Sequence, residues 1–285
     1  MIHLENDRVA LALDPDRGAR VTALADRATG RQWLVEGPAT GDPGDGAAYG
    51  AREARGWDEC FPTVAPCEHP DWGRLRDHGL LWGRPWEVEV GQGRVRASFH
   101  GPGFAFRRDV VLGRDGVVAS YRVENTGAAP LAWMWSQHAL LACAPGERLA
   151  LEGFAGFSEG GRPFDWPRHP ARDLARVGAP SEGFAAKVYA RAAGPARAGV
   201  EGPAGGIAFA WDGREVPALG LWLSYGGWPP GVEGVHQVAI EPATAPADDL
   251  AGAEALGAAR VLGPGASAGW RVRIALTAPH DEDPS

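Results

Sequence analysis

The chain has almost no lysine: Lys187 is the only one among 28 Lys and Arg, set against 36 Asp and Glu for a formal net charge of -8. Clustered Lys and Arg are what grip a nucleic-acid backbone, and no basic run or patch occurs, so no nucleic-acid partner is expected. Cysteine is scarce and odd in number, at Cys60, Cys67 and Cys143. That suits a reducing compartment better than a disulfide framework. No stretch approaches the roughly 18 continuous apolar residues of a membrane helix. The opening Met1-Ile2-His3-Leu4-Glu5-Asn6-Asp7-Arg8 lacks a basic segment followed by an apolar run, so it does not read as a secretion signal. These absences together predict a cytoplasmic protein with no membrane partner; a monomer or homodimer is expected. Nucleotide motifs (GxxxxGK, or GxGxxG after a strand) and the HExxH metal motif are missing too. Any chemistry must come from residues dispersed along the chain.

What is present is a β-rich pattern. Short runs of β-branched and aromatic residues alternate with Gly, Pro, Asp and Asn, while long amphipathic stretches are rare, which predicts many antiparallel strands. Residues 104–141 read as a three-strand meander, with turns at Gly113-Arg114-Asp115-Gly116 and Asn125-Thr126-Gly127. Further strands are expected at 206–211, 219–223, 235–241 and 269–276. In the last of these Trp270, Val272, Ile274 and Leu276 form the apolar face and Arg271 and Arg273 point outward. One short helix is expected around 247–255. Segments 37–80 and 153–182 read as long Gly/Pro-rich loops carrying aromatic, acidic and histidine residues, and such loops on a β scaffold are usually functional. Residues 280–285 read as a frayed acidic tail, leaving 1–279 as a single domain.

Three constellations carry candidate chemistry. Gly56-Trp57-Asp58-Glu59 followed by Asp77-His78-Gly79 and Trp82 mixes acids, imidazole and indoles, a mixture that suits a saccharide, whose C–H faces stack on indole while its hydroxyls bond the polar groups. In Trp133-Met134-Trp135-Ser136-Gln137-His138-Ala139-Leu140, strand alternation puts Met134, Ser136, His138 and Leu140 on one face. A histidine there is a candidate proton donor, although a hydrogen-bonded core histidine is the commoner case. In Val238-Ala239-Ile240-Glu241-Pro242 the proline is expected to stop the strand and leave Glu241 at the sheet's rim as a candidate base.

Taken together, these pieces resemble the aldose 1-epimerase (galactose mutarotase-like) superfamily. The resemblance begins at Asp16-Arg17-Gly18 and Thr29-Gly30, passes through Asp77-His78-Gly79 and Asn125-Thr126-Gly127 to His138, and closes on Glu241-Pro242. It implies an all-β fold, a large antiparallel β-sandwich that binds sugar in a cleft on one sheet. It also implies His138 as general acid toward the ring oxygen, Glu241 as base toward the anomeric hydroxyl, and His78 as a residue that hydrogen-bonds the sugar and orients it. No metal or organic cofactor is implied. Sugar-binding candidates are Arg52 or Arg55, Trp57, Asp58, Asp77, Asp165 or Asp173, and Trp228. Rival readings are a non-catalytic carbohydrate-binding protein on the same scaffold, a carbohydrate lyase or isomerase using a histidine and Tyr225, and a metal site from Cys60, Cys67, His69 and His78.

Overall fold

The computed structural model describes residues 1–37 and 49–279, so the acidic tail at 280–285 and part of the loop expected at 37–80 lie outside the described residues. A sixteen-stranded antiparallel sheet dominates. Its main path runs through strands Ile2–Glu5, Val9–Asp14, Arg20–Asp26, Trp57–Cys60, Ser136–Leu141, His236–Ala243, Ala218–Tyr225, Phe184–Gly202, Gly205–Asp212, Ser267–Thr277, Gly116–Asn125, Phe104–Leu112, Arg94–Gly101 and Glu87–Gly91. Arg148–Glu159 branches from this path and pairs with Phe184–Gly202. Residues from both ends of the path share one apolar core, including Leu11, Trp57, Phe106, Trp135, Trp270 and Ile274. The sheet thus closes over itself as a β-sandwich, because each strand's apolar face needs a partner layer.

Alternation in the last strand is as expected: Trp270, Val272, Ile274 and Leu276 are buried while Arg271 and Arg273 are exposed. The expected meander is corrected. Phe104–Leu112 and Gly116–Asn125 do pair, but Gly116–Asn125 then pairs with Ser267–Thr277. The predicted third strand is broken at Met134 and Trp135 into Leu131–Trp133 and Ser136–Leu141, and the latter joins the sheet elsewhere, between Trp57–Cys60 and His236–Ala243. The helix is shorter than expected, Leu250–Ala255, and is capped by Asp249, whose side chain accepts the Gly252 N–H. No helix among the described residues is long and apolar enough to cross a membrane. Gly156-Phe157-Ser158-Glu159-Gly160 fits a GxSxG pattern, but Ser158 lies on a strand opposite Tyr189 and not at the strand-to-helix turn that exposes a nucleophile.

Glu59 anchors the core. It is 1% exposed and accepts from Trp57 Nε1 at 2.9 Å, Trp135 Nε1 at 2.8 Å, Tyr121 Oη at 3.1 Å and Arg108 Nη1 at 2.9 Å. Burial raises its pKa, opposed by the Arg108 charge and by the hydrogen bonds from Arg108, Trp135 and Trp57. Removing one partner of a buried pair leaves an uncompensated charge, so Arg108→Met is expected to lose about 3–5 kcal/mol of stability. Urea unfolding measures this; a loss below about 1 kcal/mol would show that the core does not depend on the pair.

Candidate functional site

Antiparallel register assembles the site. Asp58 lies opposite His138. The pairings Ser136 with Ala243 and Ala139 with Ile240 place His138 opposite Glu241. Glu241 lies opposite Gly220, and Gly220 opposite Tyr189. Side chains along such a row point to one face of the sheet. Chain-distant residues thereby become neighbours without any loop having to bring them together. A Cβ at Gly220 would sit 3.0 Å from Glu241 Oε2, so glycine in this row leaves room for the carboxylate.

Glu241 is not at the rim as expected. Its strand continues through Pro242 to Ala243, and the carboxylate is 1% exposed. Proline forfeits one ladder donor but tolerates extended backbone near a strand end. Oε2 accepts from Lys187 Nζ in a close ion pair and lies 3.5 Å from Ser136 Oγ. Oε1 lies 3.8 Å from His138 Nε2.

His78 arrives from the other direction, on a turn docked at the end of the Asp58 strand. Leu80 N–H donates to the Phe61 carbonyl at 2.6 Å, and a Cβ at Gly79 would fall 2.1 Å from that oxygen, so only glycine fits there. His78 itself holds a left-handed φ of 58°, a conformation that non-glycine residues take at a cost and that clusters at functional sites. Its Nδ1 is 2.7 Å from Asp77 Oδ1, and its ring stacks on Tyr49 with centroids 3.8 Å apart. The His78 and His138 rings meet edge to face at 4.6 Å.

Tyr49, Asp77, His78, His138 and Lys187 line a cavity of about 330 Å³ whose walls also include Trp222, Trp228, Gln237 and Asp248, while Glu241, paired with Lys187 and beside His138, is not itself in the lining. Trp222 and Trp228 stand perpendicular, with centroids 5.8 Å apart. His78 Nε2, His138 Nδ1, Glu241 Oε1 and both polar atoms of the Gln237 amide are buried with no hydrogen-bond partner among the described residues. Buried polar atoms are normally satisfied, so such a concentration at the cavity wall on His78, His138 and Gln237, and beside it on Glu241, fits a ligand dense in hydroxyl groups.

Electrostatics divides the roles. Burial, followed by the charges of His78, Lys187 and Arg20, pushes His138 well below the ordinary 6.5, so its ring is neutral at neutral pH. Burial raises Asp77, but the His78 hydrogen bond and charge and the backbone N–H groups of Tyr49 and His78 outweigh it and hold the carboxylate below its usual range. Tyr49, pushed well above 10 by burial and the Asp58 charge, keeps its proton and donates to Asp58 Oδ2 at 3.1 Å.

His138, His78, Asp77 and Trp228 therefore meet at one cavity, with Glu241 beside His138. Asp58 faces the same side but is committed to Arg20, at 2.8 Å, and to Tyr49. Trp57 is fully buried in the core, its Nε1 donating to Glu59. Arg52 is exposed and Arg55 lines a separate cavity with Glu36 and Gly37, so neither reaches the histidines. Asp165 sits in an aromatic groove with Phe157, Phe164 and Trp166, and Asp173 is exposed, accepting from Ala175 N–H. Sequence reasoning passed over Tyr49, Lys187, Trp222, Gln237 and Asp248. Only Lys187 carried a signal, as the single lysine in an arginine-rich chain. Among the described residues, no group of three His, Cys, Asp or Glu side chains is placed to hold a metal ion.

A sheet closed into a sandwich, with a histidine–carboxylate row under an aromatic-walled cavity, has the galactose mutarotase-like fold. The chain is similar along nearly its whole length to a galactose mutarotase-like protein from Lactobacillus casei (16% identity, TM-score 0.69, 97% of this chain and 99% of that one). It is similar also to a galactose mutarotase related enzyme from Lactobacillus acidophilus (14% identity, TM-score 0.71, 99% and 98%). A galactose mutarotase-like protein from Clostridium acetobutylicum is a further match (13% identity, TM-score 0.71, 97% and 94%). No family model and no curated protein matches the chain.

The depressed His138 pKa has a consequence for stability. Unfolding restores an ordinary imidazole, so below about pH 6.5 the unfolded chain binds a proton that the folded one refuses, and stability falls as pH falls. Replacing His138 with Asn is expected to flatten the Tm profile between about pH 7 and pH 5 relative to the parent. Parallel profiles would contradict the buried neutral imidazole.

Proposed function

We propose that the chain is an aldose 1-epimerase, interconverting the α and β anomers of an aldose by opening and reclosing the ring at C1. The observation that carries this reading is the adjacency of Glu241 Oε1 and His138 Nε2, 3.8 Å apart and both buried, beside a cavity with two indole walls. Anomer exchange needs a group to remove the O1 proton and another to supply one to the ring oxygen. Glu241 Oε1 takes the O1 proton, because Oε2 is already held by Lys187.

His138 is neutral, so it serves by exchanging tautomers. One ring nitrogen gives its proton to the ring oxygen as the C1–O bond breaks, while the other takes up the proton that Glu241 has removed. The free aldehyde rotates about C1–C2, and the same transfers in reverse close the ring on its other face. Protons balance, and the step as written uses no metal or organic cofactor. His78, fixed by Asp77, and the Gln237 amide hold sugar hydroxyls, and Trp222 and Trp228 cover the C–H faces. The reading takes residues 1–279 as one unit, since the row draws on strands from both halves of the chain.

A lyase reading has less support. Tyr225 stacks on Phe184 and does not line the cavity, while the tyrosine that does, Tyr49, is driven away from ionisation. A non-catalytic sugar binder would keep the cavity but has no use for a carboxylate pinned at one oxygen and bare at the other.

Anomer exchange followed by polarimetry or NMR tests this. Wild-type protein is expected to speed mutarotation of some member of a broad aldose panel, and Glu241→Gln and His138→Ala are each expected to lower the rate roughly 10²–10⁴-fold. Tautomer exchange predicts a level rate from about pH 6.5 to about pH 8.5, whereas a rate falling across that interval would mean an imidazolium donor. No acceleration of any aldose would defeat the reading.

A further inference from the structure

The cross-strand row does not end at Tyr189. Ser158, on Arg148–Glu159, lies opposite Tyr189, so the face that carries His138 and Glu241 continues toward the branch strand. A second cavity of about 310 Å³ lies there, bounded by Ser158, Gly161, Tyr189, Arg191 and Leu256. Lys187 and Asp248 line both this cavity and the first. Tyr189 Oη ties the shared wall together by donating to Asp248 Oδ1 at 2.8 Å.

Building on the proposed epimerase reading, we propose that this second cavity is a subsite for another sugar ring, so that the substrate is a reducing disaccharide or longer saccharide. Its reducing-end ring would occupy the His138–Glu241 cavity, and the next ring would lie beyond Lys187 and Asp248. Size supports this, since the second cavity nearly equals the first in volume and a ligand filling both has two parts of similar bulk. Shape supports it as well, because Gly156, Gly160 and Gly161 line the space and a Cβ at any of them would meet nothing within 4 Å. Charge argues against a phosphate there. Lys187 is matched by Glu241, and the Asp248 carboxylate offsets Arg191, leaving no excess of positive charge for a dianion. Hydroxyl, carboxylate and guanidinium groups beside the apolar Leu256 suit a neutral pyranose.

The test is binding by calorimetry, which does not depend on turnover. A panel of aldoses, their reducing disaccharides of several linkages and the corresponding hexose 6-phosphates is compared on the full chain. At least one disaccharide is expected to bind about 10-fold or more tightly than its reducing-end monosaccharide. Ser158→Trp, whose indole would occupy the second cavity, and separately Arg191→Ala, are expected to bring that ratio toward one. Equal affinity for disaccharide and monosaccharide, a ratio unmoved by both substitutions, or a preference for hexose phosphate would overturn the subsite. Disaccharide preference without anomer exchange would keep the subsite and defeat the epimerase. Exchange of monosaccharides without that preference would do the reverse.

Discussion

A carboxylate buried as deeply as Glu241 needs a partner, and its ion pair with Lys187 is the constraint on which the site depends. Each charge would be costly to bury alone. Lys187 sits on the strand two away from Glu241, so the ammonium has to reach across the intervening strand, and the carboxylate oxygen that it meets lies 3.0 Å from where a Cβ on Gly220 would stand, so glycine there leaves that oxygen clear. The pair fixes one carboxylate oxygen and leaves the other toward His138. Lysine suits this role better than arginine, because a compact ammonium satisfies a single oxygen while a guanidinium fork would engage both. In a chain that otherwise uses Arg in place of Lys, the exception stands where a fork would engage the carboxylate oxygen that the proposed reading uses as base.

The Asp58 strand shows how one short segment serves two purposes. Asp58 and Glu59 are adjacent and both buried, yet alternation sends them to opposite faces. Glu59 enters the core and gathers Arg108, Trp57, Trp135 and Tyr121, while Asp58 faces the site and holds Arg20 and Tyr49. Through Tyr49, which stacks on His78, the Asp58–Arg20 pair reaches the cavity wall. Arg108 and Glu59 hold the sandwich together beneath it. The rigidity of the cavity wall thus comes from buried polar networks on both faces of a single strand.

Much of this was legible in the sequence where the information is local. Period-2 alternation identified Gly269–Leu276, and it put Ser136, His138 and Leu140 on one face, where Ser136 meets Glu241, His138 lines the cavity and Leu140 packs near Tyr49. Strand neighbours were not legible, because register between segments a hundred residues apart is set by the whole sheet. That is why 131–141 has the local pattern of a meander's third strand although its second half pairs elsewhere. Pro242 misled for a related reason, since a proline's effect depends on which ladder donor it removes. Arg52, Arg55, Asp165 and Asp173 were reasonable by residue type, but type carries no distance. Gln237 and Trp222 sit on ordinary-looking strands, and only the assembled sheet shows that they share a cavity with His138.

The central claim is that Glu241 and His138 act together on one anomeric centre. A crystal structure of the complex with an aldose tests it most directly. The account predicts O1 within hydrogen-bond reach of Glu241 Oε1 and the ring oxygen within reach of His138, with the ring against the wall formed by Trp222 and Trp228. A sugar bound with C1 turned away from both residues, or seated elsewhere on the molecule, would contradict it.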